Sequence, residues 1–260
     1  MLLDLAPDNC FGVEVDGRVV TTATLVCYGT RLGWVGMVLT HPEFRGQGLA
    51  QKLFEHILER ADMRGIRTLK LDATEQGKPL YEKYGFKSEQ IVERWGGKLA
   101  EERIFSSAVD FANWRNVDAQ AFGADRLDLW QALKARGQCL MAKGGYLLTR
   151  PGRIASYLGP CVAETADAAG QLIFAHFSQK QKDASLQNTK PWHFSDRETR
   201  DARGECREWF WDLLPENKNA LAIANELGFS RKRSLTRMFR RREMRGRDEL
   251  VYAIAGFEFG

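Results

Sequence analysis

The sequence echoes itself at long range. Tyr84-Gly85-Phe86 is followed by Arg94, nine residues after its glycine, and Leu227-Gly228-Phe229 is followed by Arg237 at the same distance. Trp34-Val35-Gly36 likewise has a counterpart in Tyr157-Leu158-Gly159. A repeat this long exceeds solenoid units of about 20–50 residues and points to duplicated domains. A chain of 260 residues suits two of modest size. We expect one domain over residues 1–100 and a second over 101–260. Segment 96–103, which carries no hydrophobic period, reads as the linker.

Within the first half, 10–28 gives two β-rich runs around Asp16-Gly17, a dipeptide that favours a type I′ hairpin turn. Segment 33–40 is apolar almost throughout and reads as a central strand. From Leu49 the period becomes helical, with Leu49, Leu53, Ile57 and Ala61 on one face and Lys52, Glu55, Glu59 and Arg60 on the other. A strand at 68–73, a short helix from Pro79 to the Gly85 stop and a closing strand at 86–95 complete a mixed α/β sheet. The second half predicts helices at 111–123 and 127–137 and strands at 139–148 and 154–158. A helix at 166–178, a polar loop at 179–190, a strand near 209–214, a helix at 219–227 and further strands follow.

Hydrophobic residues make up 44% and charged ones 28%, ordinary globular usage that excludes disorder. No apolar run is long enough to span a bilayer, and 1–5 lacks the features of a secretory signal. Five scattered cysteines without a CxxC pair argue against a disulfide framework or zinc site and for a reducing cytoplasm. The net charge of +4 hides a local excess, because 231–247 carries nine basic residues and one acidic. That run could contact nucleic acid or the phosphates of a small ligand. It could equally be a solvated strand pair, since Leu235, Met238 and Phe239 interrupt it.

Chemistry concentrates at 38–51, VLTHPEFRGQGLAQ, where an apolar strand enters a glycine-rich turn that opens an amphipathic helix. Such a turn aims free backbone N–H groups and a positive helix end at one point, a site for phosphate. Gly46 and Gly48 permit close approach, and Arg45 can add a charge-assisted bond. Gly48-Leu49-Ala50 lacks the Lys-Ser/Thr of a P-loop, and Gln51 stands where a dinucleotide fingerprint needs its third glycine. The pattern Arg45-x-x-Gly48-x-Ala50 after a strand instead resembles the pyrophosphate loop of the GNAT (GCN5-related) N-acetyltransferases. Leu80-Tyr81-Glu82-Lys83-Tyr84-Gly85-Phe86 is similar to that family's late helix ending in Gly-Phe.

The resemblance implies a fold of two tandem GNAT-like α/β domains, each a mixed, mostly antiparallel splayed sheet flanked by helices. It implies an acetyl-CoA site in the first, with pantetheine between strands 34–40 and 68–73. Val38 and Thr40 would pair with it through their backbones, as an added strand would, with Leu39 between them. Arg45 and the amides of Gly46, Gln47, Gly48, Leu49, Ala50 and Gln51 would hold the pyrophosphate. Tyr81 falls at the usual general-acid position and would protonate the leaving thiolate. Asp72 is a candidate base, Tyr84 a core residue, and His41 structural or solvent-facing. The other histidines form no ligand pair, and no metal is expected.

In the second copy the repeat register places Ala168 on Arg45, Ala169 on Gly46, Gln171 on Gly48 and Ala224 on Tyr81. This resembles a degenerate GNAT-like domain with Gly256-Phe257-Glu258 in its final strand. It would wall the acceptor with Trp192, Trp209, Phe210 and Trp211, though Trp209 and Trp211 also suit a core. Only 2–6 precede the first hairpin, where family members carry a strand and two helices. An upstream segment, another element or another chain is expected to complete the domain. The implied activity is acetyl transfer from acetyl-CoA to a primary amine, on a small molecule or a protein, by direct attack. A non-catalytic acetyl-CoA sensor or scaffold is the alternative. Neither a membrane nor a nucleic-acid partner is expected, and a homodimer is compatible.

Overall fold

The computed structural model describes residues 1–99, 111–177 and 207–260. After a short helix α1 (Leu2–Leu5), strands β1 (Cys10–Val15) and β2 (Arg18–Tyr28) form a hairpin. Its corner, Asp16-Gly17, has positive φ at both residues, as a type I′ turn requires. Strand β3 (Leu32–Thr40), helix α2 (Leu49–Met63), strand β4 (Thr68–Ala73), helix α3 (Lys78–Lys83) and strand β5 (Lys87–Leu99) follow. The second half contains helices α4 (Trp114–Phe122) and α5 (Leu127–Lys134) and strands β6 (Gln138–Ala142), β7 (Gly145–Arg150) and β8 (Ser156–Ala163). Helix α6 (Ala166–Phe177), strand β9 (Arg207–Leu213), helix α7 (Lys218–Glu226) and strands β10 (Ser230–Arg241) and β11 (Val251–Ala253) complete it. The run 139–148 thus divides into the hairpin β6–β7.

All strands join one sheet, in the order β1-β2-β3-β4-β10-β5-β9-β8-β7-β6, with β11 beside β8. The order is symmetric about its middle. The halves exchange strands: β10 lies between β4 and β5, and β5 lies between β10 and β9. Among the described residues only β3–β4 and β8–β9 pair in parallel. Segment 86–95 therefore does not close the sheet. It belongs to a strand at its centre, and 96–99, expected as linker, continue that strand against β9. Gly97 permits this because its missing side chain leaves room for the Phe229 ring, 3.1 Å from where a Cβ would stand. The rest of the expected linker, 100–103, and the polar loop 179–190 lie outside the described residues.

The exchange is pinned by two equivalent buried ion pairs. Arg237 of β10 makes two bonds to Asp72 of β4, at 2.9 and 3.0 Å. Arg94 of β5 makes two to Asp212 of β9, at 2.7 and 2.6 Å. The two arginines echoed in the sequence thus each cross between halves. Removing one partner of such a pair strands a buried charge, at a cost of about 3–5 kcal/mol.

Three apolar clusters fill the molecule. One lies under α2 and α3, with Phe54, Ile57, Leu69, Leu71 and Tyr81. A second lies under α6 and α7, with Trp209, Trp211, Leu213 and Phe229. On the opposite face α4 and α5 pack across both halves, joining Tyr28 and Trp34 to Tyr146 and Leu148. Phe122 of α4 sits edge-on to Tyr28 at 4.8 Å, so an element of the second half covers the first. Gly256, Phe257 and Glu258 are not in the final strand, which ends at Ala253. They belong to a tail folded over β3, where Trp34 Nε1 donates to the Phe257 carbonyl at 2.9 Å. No helix among the described residues is long and apolar enough to cross a membrane.

Candidate active site

Strand β3 pairs with β4 only where Leu32, Gly33 and Trp34 face Thr68, Leu69 and Lys70. Beyond Trp34 the two strands part while β10 follows β4 to Ala73, leaving a cleft between β3 and β4. A bulge shapes its wall. Thr22 faces Leu39 and Thr24 faces Gly36, so Met37 and Val38 oppose Ala23 alone. Met37 takes φ +51°, uncommon for a side-chain-bearing residue, and its carbonyl accepts the Thr22 hydroxyl at 2.8 Å. Val38 and Thr40 are half-buried. Met37 and Leu39 are 41% and 57% exposed, unusual for large apolar groups and suited to an apolar ligand arm.

Past Thr40 the chain makes a 3₁₀ turn (Pro42–Phe44) and enters the glycine turn. Gly46 and Gly48 have φ of +77° and +73°, and nothing lies within 4 Å of where a Cβ would stand on either. Helix α2 opens at Gly48 with no side-chain cap. The Lys52 N–H reaches the Gly48 carbonyl at 3.1 Å, but among the described residues no backbone acceptor faces the amides of 46–51. These are the donors a helix start leaves over. Arg45 is exposed and folds back, its Nε donating to the Thr40 carbonyl at 3.2 Å. The side chains of Gln47 and Gln51 reach the Glu43 carbonyl (3.5 Å) and Glu55 (3.2 Å). His41 stands at the surface 3.7 Å from Glu43.

Tyr81 is 8% exposed on α3, its ring 5.0 Å from that of Phe54 on α2 and 6.2 Å from that of Phe86. Among the described residues nothing is hydrogen-bonded to its hydroxyl, and burial pushes its pKa up to about 12. The phenol therefore keeps its proton at neutral pH. Tyr84, expected in the core, is half-buried and donates its hydroxyl to Glu55 across to α2. Asp72 is corrected as a base. Its side chain is wholly buried, and both its oxygens are taken by Arg237, a partner no local pattern reveals. Burial raises its pKa and Arg237 pulls it back.

In the second half, β8 reaches α6 through Glu164 and Thr165 alone, so Ala168, Ala169 and Gln171 lie within a helix. Thr165 caps that helix, its hydroxyl accepting the Ala168 N–H at 3.2 Å. The cleft between β8 and β9 is filled by the chain itself. Strand β11 pairs with β8, the Ile254 N–H bonds the Asp212 carbonyl at 2.9 Å, and Trp211 Nε1 bonds the Tyr252 carbonyl at 2.8 Å. Trp209 and Trp211 are buried under α6 and α7 and wall no acceptor site. Phe210 faces the other way, beneath Arg94 at 4.9 Å. Trp192 lies outside the described residues.

Two features at the cleft, the Met37 bulge and the tail, leave no mark in the local residue pattern. The Glu258 carbonyl lies 3.0 Å from where a Gly36 Cβ would stand, and that glycine was visible only as part of the repeat. A cavity of about 750 Å³ opens elsewhere, between residues 5–9, the end of β2 and the α4–α5 turn. Its Arg115 and Arg126 are already paired with Asp125 and Asp118, and it holds neither the glycine turn nor the bulge. Among the described residues no three His, Cys, Asp or Glu side chains converge as a metal site.

The sequence profile of the acetyltransferase (GNAT) domain matches residues 6–88, which hold the bulge, the glycine turn and Tyr81. An uncharacterized N-acetyltransferase of Bacillus subtilis, YitH, is 29% identical over 187 residues, 66% of this chain. The glucosamine 6-phosphate N-acetyltransferase of Trypanosoma brucei brucei is 31% identical over 80 residues, 28% of this chain. The matched regions span 65% and 54% of those relatives. A candidate acetyltransferase from Pyrococcus horikoshii shares the fold at TM-score 0.78 and 22% identity, over 99% of this chain and 82% of its own. A GCN5-related N-acetyltransferase from Anabaena variabilis does so at TM-score 0.52 and 15% identity, over 92% of this chain and 64% of its own. Residues 6–88 thus match the GNAT acetyltransferase domain, and the chain as a whole shares its fold with the Pyrococcus horikoshii structure.

Proposed function

We propose that the protein transfers an acetyl group from acetyl-CoA to a primary amine at a single site in its first half. The observation that carries this reading is the uncapped glycine turn beside an open, apolar-walled cleft. Open space over Gly46 and Gly48 and unspent amides in 46–51 suit a diphosphate. Met37 and Leu39 suit the pantetheine arm, and the backbone of Val38 and Thr40 can pair with its amides. When bound, acetyl-CoA supplies a thioester that a neutral amine can attack directly.

The chain's own residues do the rest. The amides of 46–51, helped by Arg45, bind and orient. Tyr81 Oη holds a proton that a departing thiolate can take, and its burial keeps that proton in place until then. No nucleophilic side chain is needed. Turnover of acetyl-CoA over a panel of amines, read as free thiol together with acetylated product by mass spectrometry, tests this. CoA binding without thiol release from any amine would establish the sensor reading instead.

A further inference from the structure

The fold takes the basic run 231–247 apart. Arg237 pairs with Asp72, Arg231 with Glu93, Arg241 with Asp62 and Arg247 with Glu249, while Arg233 lies over the Phe257 ring. Arg242 and Arg245 lie just past the end of β10, where they meet two arginines from distant chain. Arg31 comes from the β2–β3 turn, and Arg67 immediately precedes β4. With Thr68, Glu243 and Met244, these four line a cavity of about 480 Å³, within the size range of small-molecule sites.

Four guanidinium groups share that cavity with one carboxylate. Glu243 is taken by Arg245 at 3.2 Å, and Arg245 also bonds the Glu89 carbonyl at 3.1 Å. Arg31 Nε faces the Met244 sulfur at 3.3 Å, a weak acceptor. Among the described residues no carboxylate pairs with Arg31, Arg67 or Arg242. The arrangement is held in place. Arg241 takes φ +75° with its side chain bonded to Asp62 and the Ile66 carbonyl, and the next carbonyl, of Arg242, accepts the Thr68 hydroxyl at 2.9 Å. Like charges gathered from three segments repel unless an anion joins them, and the planar guanidinium fork matches phosphate oxygens.

We propose that this cavity binds a small oligophosphate, a free chain of three or more linked phosphate groups. The site is separate from the glycine turn. Arg31 and Arg67 stand where β3 and β4 begin, and the turn follows the far end of β3, nine residues or roughly 30 Å away.

Calorimetric titration with inorganic tripolyphosphate, at physiological salt and with CoA in excess to fill the glycine turn, tests this. One equivalent of tripolyphosphate should bind. Arg67→Gln and Arg242→Gln should each weaken it by about tenfold, and the double variant should abolish it. Arg18→Gln makes the same charge change at the exposed start of β2 and should leave binding intact. Gly48→Val should also leave it intact, so the result stands apart from the fate of the acetyl-CoA reading. No binding to the wild type, equal loss in Arg18→Gln, or retention in the double variant would overturn the proposal. So would binding to duplex DNA without binding to tripolyphosphate.

Discussion

Strands β3 and β8 each leave a short parallel pair and run toward a helix, yet they arrive differently. The first takes eight residues, 41–48, with two left-handed glycines and no cap. The second takes two residues and spends a threonine hydroxyl on the helix start. Beside the first no strand pairs with β3 on the β4 side past Trp34, and beside the second β11 pairs with β8. A helix start can therefore keep its donors free or be a finished structural joint, and what decides is whether the chain has already satisfied them. Backbone pairing shows the same division, because β11 gives β8 the partner that a ligand arm could give β3.

The contrast can be broken most sharply at Tyr81, whose register partner is Ala224. Tyr81→Phe should lower kcat by about 10²–10⁴ and leave CoA affinity nearly unchanged. A wild-type rate in the phenylalanine variant would make the first half's phenol as structural as the second half's alanine. Where the halves are alike, Asp72→Ala and Asp212→Ala should each destabilise the fold by about 3–5 kcal/mol in denaturant titrations. A large loss in one and none in the other would show that the two crossings are not equivalent.

A third measurement separates the turns. Gly48→Val puts a branched side chain at φ +73° over the amides, and should weaken CoA binding by about 100-fold. Melting should change little, since nothing packs there. Titration of the wild type should saturate at one CoA per chain, and two would mean that β11 gives way to ligand. The smallest effect belongs to the second turn. Thr165→Ala should cost about 1 kcal/mol of stability through the lost cap and leave CoA binding untouched.

Local elements were legible and crossings were not. Segment 68–73 showed its strand and 38–51 its strand, glycine turn and helix, because period and turn chemistry are written in neighbouring residues. The role of Arg94 and Arg237 was visible only as an echo, since Asp212 and Asp72 lie far away in the chain. The basic run read as one patch because its carboxylate partners, Asp62, Asp72 and Glu93, come from the other half. The register carried on from Trp34-Val35-Gly36 set Arg45 against Ala168, but the second connection is shorter, so the correspondence placed a loop residue on a helix. At Met37 nothing in the sequence marks the bulge, because its φ is imposed by the pairing of β2 with β3.

The exchange of β5 and β10 also sets the order in which this chain can be made. Strands β4 and β5 leave the ribosome long before β10, whose place lies between them, and synthesis at about 5–20 residues per second leaves them waiting for several seconds or more. Through that interval both present unpaired edges, the features that draw chaperones and invite wrong pairing. The strand that ends the wait is the most basic in the protein, and a basic segment resists pairing with copies of itself. Contacts this distant slow folding, and they also make it conditional, because the first half acquires its finished sheet only when the last strands of the second have been translated.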